Sequence, residues 1–197
     1  MMRAKRPVIF TIGHSTRTFP EFAELLAAYG VATLVDVRSV PRSRHTPQFN
    51  AAPLARSLEK RGIRYAHLAG LGGLRHAKKG SGNAGWRNAS FRGYADHMAT
   101  PEFARGLETL VAIARERTTA IMCAEAVPWR CHRSLIADAL IKKGWLVRDI
   151  MSRTSAPPRA PTPFLRVKNG VLTYPAPASA RLTSVSGGAG RRRGRIR

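Results

Sequence analysis

Short apolar runs alternate with amphipathic segments along the first 150 residues. Apolar runs of strand length lie at 8–12, 33–37, 63–67, 118–123 and 145–150. Helical periodicity falls between them, at 19–28, 53–60, 101–115 and 133–143. This alternation predicts an α/β fold, a single domain with a mainly parallel sheet flanked by helices in a Rossmann-like three-layer arrangement.

The pattern stops between residues 68 and 93 and changes again after residue 151. The first segment holds seven glycines among several basic residues, which predicts a long loop that is either functional or disordered. Beyond 151, a region rich in proline leads to Asn169-Gly170 between two apolar runs, the signature of a type I′ hairpin. We therefore divide the chain into a domain at 1–151, a proline-rich linker with a short β-hairpin at 152–175, and a disordered basic tail at 176–197.

The net charge of the chain indicates which class of partner it binds. The 34 Lys and Arg against 11 Asp and Glu give a net charge of +23. Residues 38–92 hold twelve of the basic residues and one acid, Glu59. This excess favours DNA, RNA or a nucleotide as partner, because each neutralised phosphate releases a counterion. A generally arginine-rich composition without a bound polyanion is the alternative.

The cysteine count and the amino-terminal segment bear on location. Two cysteines are too few for a disulfide framework. The basic start of the chain precedes only three apolar residues, too short a run for a signal peptide or a membrane span. We expect a cytoplasmic protein without membrane contact.

Ionisable side chains follow the predicted strands. Because the carboxyl ends of parallel strands meet at one edge of a sheet, these side chains are expected to line a common crevice. They are His14 after the first strand, Asp36, Arg38 and Arg42 after the second, His67 after the third, and Glu125, Cys131, His132 and Arg133 after the fourth.

The last of these groups sits at the start of a predicted helix. Backbone amides and the helix dipole attract anions there and lower the pKa of a thiol. Cys131, assisted by His132, is therefore either a nucleophile or sensor, or a small buried side chain. Arg133 either binds phosphate or pairs with Glu125 or Asp36.

The other crevice residues complete a hypothetical active site. We assign Glu125 as general acid or base, with Asp36 and His14 as further catalytic candidates. Arg38 and Arg42 join Arg133 as phosphate ligands. Trp129 is the candidate for stacking on a base, and Cys123, at the end of a buried run, is assigned to the core.

Metal binding is the less favoured chemistry at these positions. Cys123, Cys131, His132 and His14 carry suitable donor atoms for zinc or iron. However, the chain has no CxxC or HxxxH spacing, and the surrounding arginines oppose a cation. We therefore predict no metal and no cofactor.

Several motifs occur in an order typical of one family. They are Thr11-Ile12-Gly13-His14-Ser15, the segment 34–44 with Asp36-Val37-Arg38, Phe91-Arg92-Gly93-Tyr94, Cys123-Ala124-Glu125 and Cys131-His132-Arg133. Together they resemble the bacterial family catalogued as domain of unknown function 488, over residues 8–150. The resemblance implies a single cytoplasmic α/β domain and no agreed reaction.

A second, weaker resemblance is to rhodanese sulfurtransferases and related phosphatases. It rests on Asp36-Val37-Arg38 and on the later cysteine-bearing turn. Those enzymes place an arginine at the end of a short anion loop that begins with the cysteine. Here six residues separate Cys123 from Arg130, and no loop follows Cys131, so a shared architecture explains the similarity.

Three functional hypotheses follow. The first is an enzyme acting on a phosphate-bearing substrate, a nucleotide or a nucleic-acid base. The second is a non-catalytic module that binds nucleic acid through residues 38–92 and the tail. The third is sulfur transfer or phosphatase chemistry at Cys131. A carboxylate and thiol cluster favours an enzyme, since a pure binder has no need of Glu125 in a basic crevice.

Overall fold

The computed structural model describes residues 6–177, which contain a parallel sheet, five helices and a hairpin. The elements are β1 (Val8–Gly13), α1 (Phe19–Ala28), β2 (Thr33–Asp36), α2 (Ala51–Glu59), β3 (Arg64–His67), α3 (Ala89–His97), α4 (Pro101–Glu116), β4 (Thr119–Cys123), α5 (Arg133–Lys142), β5 (Leu146–Asp149), β6 (Arg166–Lys168) and β7 (Val171–Thr173). The predicted α/β class is confirmed.

The sheet has the strand order β3-β2-β4-β1-β5, and every neighbouring pair is parallel. Apolar side chains of α1 and α2 form the core on one face, and those of α3, α4 and α5 form the core on the other. The helices that follow β1 and β2 cover one face of the sheet, whereas the helix that follows β4 covers the other. Strand β4 lies between β1 and β2, so the chain changes direction at this strand. Such a switch in direction opens a crevice at the carboxyl ends of the strands.

One helix was not predicted. The expected loop over 68–93 ends early, because α3 begins at Ala89 and contains Gly93. A side chain at Gly93 would place its Cβ 2.5 Å from the carbonyl oxygen of Arg75. The loop can therefore pack on the helix only if residue 93 is glycine. Because glycine has a low helix propensity, the sequence pattern did not predict a helix here.

The remaining part of this basic segment is organised around one carboxylate. Oδ1 of Asp96 accepts hydrogen bonds from Ser81 Oγ at 2.6 Å and from Asn83 Nδ2 at 2.8 Å. Oδ2 accepts from the amide of Lys78 at 2.9 Å. The segment is consequently held against α3.

The predicted hairpin is confirmed. Strands β6 and β7 are antiparallel, and the two turn residues have positive φ values, 48° at Asn169 and 82° at Gly170. A type I′ turn requires both values to be positive. The hairpin lies in a segment that packs on the body of the protein.

Tyr174 makes one of these contacts. The side chain is fully buried, and its hydroxyl donates to Asp138 Oδ2 on α5 at 2.9 Å. Oδ1 of the same carboxyl accepts the amide of Thr162 at 2.9 Å. Burial raises the pKa of Asp138. The predicted tail at 176–197 lies outside the described residues apart from its first two positions.

Within residues 6–177, no helix is both long enough and apolar enough to cross a membrane.

Replacing Tyr174 with Phe is expected to lower the free energy of unfolding by about 1–3 kcal/mol, because a buried carboxyl loses its hydroxyl donor. Urea denaturation measures the change. Tyr29→Phe is the matched control, since the Tyr29 hydroxyl donates to a carbonyl, that of Ser152, in a less buried setting. Equal effects of the two substitutions would contradict the importance of the Asp138 contact.

Candidate functional site

Two adjoining cavities open at the carboxyl edge of the sheet, with volumes of about 390 and 380 Å³. The thiol cavity contains Cys123, Cys131 and His132, with apolar walls from Leu74, Phe91 and Tyr94. The arginine cavity contains His14 and Arg42, with hydroxyl groups from Ser15, Thr16, Ser43 and Thr46. The two cavities share Arg38, Val40, Ala124 and Glu125. Both volumes suit small-molecule ligands.

The floor of the thiol cavity holds an imidazole between two sulfur atoms. Nδ1 of His132 lies 3.6 Å from Cys131 Sγ and 3.9 Å from Cys123 Sγ. Nε2 lies 2.9 Å from the carbonyl oxygen of Val37, and a carbonyl oxygen only accepts hydrogen bonds. Nε2 therefore carries a proton, and Nδ1 faces the sulfurs.

Arg133 lies buried beneath this floor. Its Nε donates to Cys131 Sγ at 3.4 Å, its Nη1 to Thr11 Oγ1 at 3.1 Å and its Nη2 to the carbonyl oxygen of Glu125 at 2.5 Å. No carboxylate forms an ion pair with Arg133 within residues 6–177. It lines neither cavity, so its guanidinium positions the sulfur and the loop instead of facing a ligand.

These contacts set the ionisation of the two thiols. The neighbouring Cys123 thiol holds the pKa of Cys131 well below its usual range, and His132 and Arg133 act in the same direction against the opposing effect of burial. The proximity of Cys131, together with burial, raises the pKa of Cys123. Ionisation of the pair is therefore favoured at Cys131 over Cys123.

The start of α5 supplies few free amides for an anion. The amide of Ser134 donates to the carbonyl of Cys131 at 2.9 Å, and the amides of Leu135 and Ile136 donate to the carbonyl of His132 at 3.0 and 3.3 Å. The positive charge near Cys131 therefore comes from the side chain of Arg133, and the expected anion cradle of backbone amides is not available at these three positions.

Asp36 and Arg38 form a buried ion pair. Arg38 Nε donates to Asp36 Oδ1 at 2.9 Å and Nη2 donates to Oδ2 at 2.6 Å. Tyr65 adds a hydroxyl donor to Oδ2 at 2.9 Å. With its oxygens occupied and no solvent exposure, Asp36 serves to orient Arg38, which lines both cavities.

His14 supports the same guanidinium. Its Nε2 lies 3.3 Å from Arg38 Nη1, and its Nδ1 lies 2.9 Å from the carbonyl oxygen of Ser15. A guanidinium only donates, so Nε2 accepts and Nδ1–H donates. Burial lowers the pKa of His14, and its ring stacks on Phe49 at 4.3 Å. His14 is therefore neutral and acts as a positioning residue.

Three predicted site residues are exposed. Glu125 lines both cavities, and its Oε1 accepts the amide of Val127 at 3.3 Å. Arg42 is exposed at the arginine cavity. Trp129 is 63% exposed and lines neither cavity, so the structure does not bring it together with the other candidates.

Sequence reasoning missed three residues of the site. Cys123 is buried, as expected for the core, but it also lines the thiol cavity. A side chain at Gly13 would collide with the carbonyl of Glu125, and one at Gly73 would collide with the ring of His132. The position of Cys123 at the end of a strand could have indicated its role, whereas the two glycines gave no signal in isolation.

The cluster Cys123, Cys131 and His132 also has the composition of a metal site. One donor atom from each residue lies within 4.8 Å of the others, a grouping that occurs once within residues 6–177.

The match to known families now has a structural context. Residues 18–140 match the family described as "Domain of unknown function DUF488". The chain belongs to this family. Searches of curated proteins and of solved structures gave no significant match. The matched span includes both cysteines and Glu125 of the DUF488 domain, and the family description assigns no reaction.

In the reduced, metal-free DUF488 protein, iodoacetamide should modify Cys131 rapidly even below pH 7. The rate follows the thiolate fraction, which falls only when the pH drops through the lowered pKa of Cys131. Mass spectrometry of alkylated peptides across pH measures the profile. In the same wild-type protein Cys123 should stay unmodified near neutral pH, because Cys131 and burial raise its pKa. A profile for Cys131 centred near pH 8.5, the value of an ordinary thiol, would contradict this.

Gly73→Ala should disturb the site without removing any of its functional groups, because the new methyl group displaces the His132 ring. We expect slower alkylation of Cys131 and a shifted pH profile. Gly82→Ala is the control, since a Cβ there meets no atom within 4 Å. Identical alkylation profiles in the two variants would show that His132 does not influence the sulfur.

Proposed function

We propose that this DUF488 protein is an enzyme that acts on a phosphate-bearing substrate, a nucleotide or a nucleic-acid base. The supporting observation is the pair of adjoining cavities, one cationic and one thiol-lined, with Arg38 and Glu125 in their common wall. A substrate with an anionic end and a reactive end fits across this wall.

The phosphate group would occupy the arginine cavity. Arg42 is exposed there, and it forms no ion pair among the described residues. Serine and threonine hydroxyls around it add hydrogen-bond donors. Arg38 contributes less charge, because Asp36 neutralises much of it. Arg133 has no part in this contact.

The reacting end of the substrate would lie in the thiol cavity. Leu74, Phe91 and Tyr94 give it apolar walls suited to a ring. Glu125 stands at the boundary between the two ends, where its carboxylate can take or return a proton. His132 and Cys131 lie at the floor, next to the reacting atoms.

The basic residues of the segment 68–93 give less support to the alternative of a non-catalytic nucleic-acid-binding module. Arg75 pairs with Glu102 at 3.0 Å, and Arg92 donates to the carbonyl of Trp86 at 3.2 Å. These two cations are thus engaged within the protein. The rhodanese-like alternative needs an anion loop after its cysteine, and α5 begins only two residues after Cys131.

A panel of nucleotides and nucleobases tests the proposal. Glu125→Gln should lower turnover by about 10²–10⁴-fold, the contribution of a general acid or base, while binding of the same compound changes little. Glu116→Gln, an exposed carboxylate at the end of α4, is the control and should turn over normally. Unchanged turnover in Glu125→Gln would remove Glu125 from the mechanism.

Arg42→Gln should raise KM for the phosphorylated substrate about tenfold, equivalent to loss of about 1.4 kcal/mol of binding, with kcat little altered. The matching substrate without phosphate should show no such change. If no compound of the panel is turned over but a single-stranded oligonucleotide binds with steep salt dependence, the protein is a nucleic-acid-binding module and the enzymatic proposal is wrong.

A further inference from the structure

We infer that Cys123, Cys131 and His132 form a binding site for a zinc-type metal ion, with a fourth coordination position open to the thiol cavity. The inference does not depend on the identity of the substrate. It departs from the expectation drawn from motif spacing, which argued against a metal.

The distances between the donor atoms suit tetrahedral coordination. Zinc bonds of about 2.3 Å to sulfur and 2.0–2.1 Å to nitrogen place S and N ligands about 3.6 Å apart. His132 Nδ1 lies 3.6 Å from Cys131 Sγ and 3.9 Å from Cys123 Sγ. All three donor atoms lie within 4.8 Å of one another. A small side-chain adjustment therefore completes the geometry.

The histidine is held in the orientation that a metal needs. Its Nε2–H donates to the carbonyl oxygen of Val37 at 2.9 Å, so Nδ1, which faces the sulfurs, is the nitrogen that would bind the ion once it has lost any proton. Histidine ligands of metals commonly make this hydrogen bond with their second nitrogen. Gly73 leaves the room that the ring requires.

The electrostatics of the cluster are compatible with a divalent cation. Two thiolates offset the two charges of the metal, so Arg133 faces sulfur and not a net positive centre. Its N–H contact to Cys131 Sγ at 3.4 Å is a hydrogen bond of the kind that supports metal-bound thiolates.

Three protein ligands and one open position are typical of catalytic zinc rather than structural zinc. All three donors line the thiol cavity, so a fourth ligand would reach the ion from that side. Glu125, two residues after the first ligand, lines the same cavity and is not part of the cluster. A metal held by these three residues would supply Lewis-acid chemistry to the reacting end of a substrate, and Glu125 could take and return a proton there.

The experiment uses the reduced, tag-free chain with cobalt(II) and zinc(II) as probes. We expect one ion per chain, a thiolate-to-cobalt charge-transfer band, and release of cobalt by zinc. Cys131→Ser, Cys123→Ser and His132→Gln should each weaken binding by more than about 100-fold, since even supporting residues around a metal site cost 10–100-fold. His132→Gln keeps both thiols, so it remains informative if a cysteine variant fails to fold.

Two matched variants keep the test specific. Glu125→Gln and His45→Gln should bind cobalt with unchanged stoichiometry, the first because Glu125 is not a ligand and the second because His45 is exposed outside the cluster. Absence of cobalt binding to the reduced wild-type chain would overturn the inference. Binding that persists in all three ligand variants would do the same, by placing the ion elsewhere.

The outcomes separate this inference from the proposed function. If Glu125→Gln abolishes turnover while the wild-type chain binds no metal and stays active in the presence of a chelator, the proposed enzymatic function is supported and the metal site is wrong. If cobalt binds through the three ligands but no phosphate-bearing compound is turned over, the metal site is supported and the proposed substrate class is wrong.

Discussion

The buried guanidinium of Arg133 is the constraint on which the candidate site depends. A buried cation is costly unless it is paired or fully hydrogen-bonded, and no carboxylate pairs with this one in the described part of the chain. Its donors are used by the sulfur of Cys131, the hydroxyl of Thr11 and the carbonyl of Glu125. Arg133 therefore favours ionisation of Cys131, and one side chain holds the strand, the loop and the thiol together.

Arg38 is also a buried cation, but a carboxylate forms an ion pair with it. Asp36 neutralises it directly, and a neutral His14 takes a further N–H group. Residues predicted to move protons thus hold an arginine in place. A ligand that enters the arginine cavity consequently meets a mostly compensated Arg38 and an exposed Arg42, with Glu125 exposed in the wall between the two cavities.

The topology explains why these groups meet. Strand β4 inserts between β1 and β2, so its terminal Cys123 adjoins the loops that follow both neighbours. The loop after β4 crosses directly over Gly13, where a side chain would collide with its backbone. His132, at the end of that loop, reaches the carbonyl of Val37 beyond β2. The cluster therefore exists only when three strands are in register.

Strand and helix periodicity determined the α/β class, the hairpin and the edge of the sheet that carries the site, because these follow from local patterns and from the rule that parallel strands end together. The helix around Gly93 escaped prediction, since tertiary contact and not propensity requires that glycine. Only the tertiary structure decided the roles at the edge. Cys123 and Cys131 are eight positions apart, a spacing without meaning in the sequence, and the strand order and buried Arg133 place them beside one imidazole.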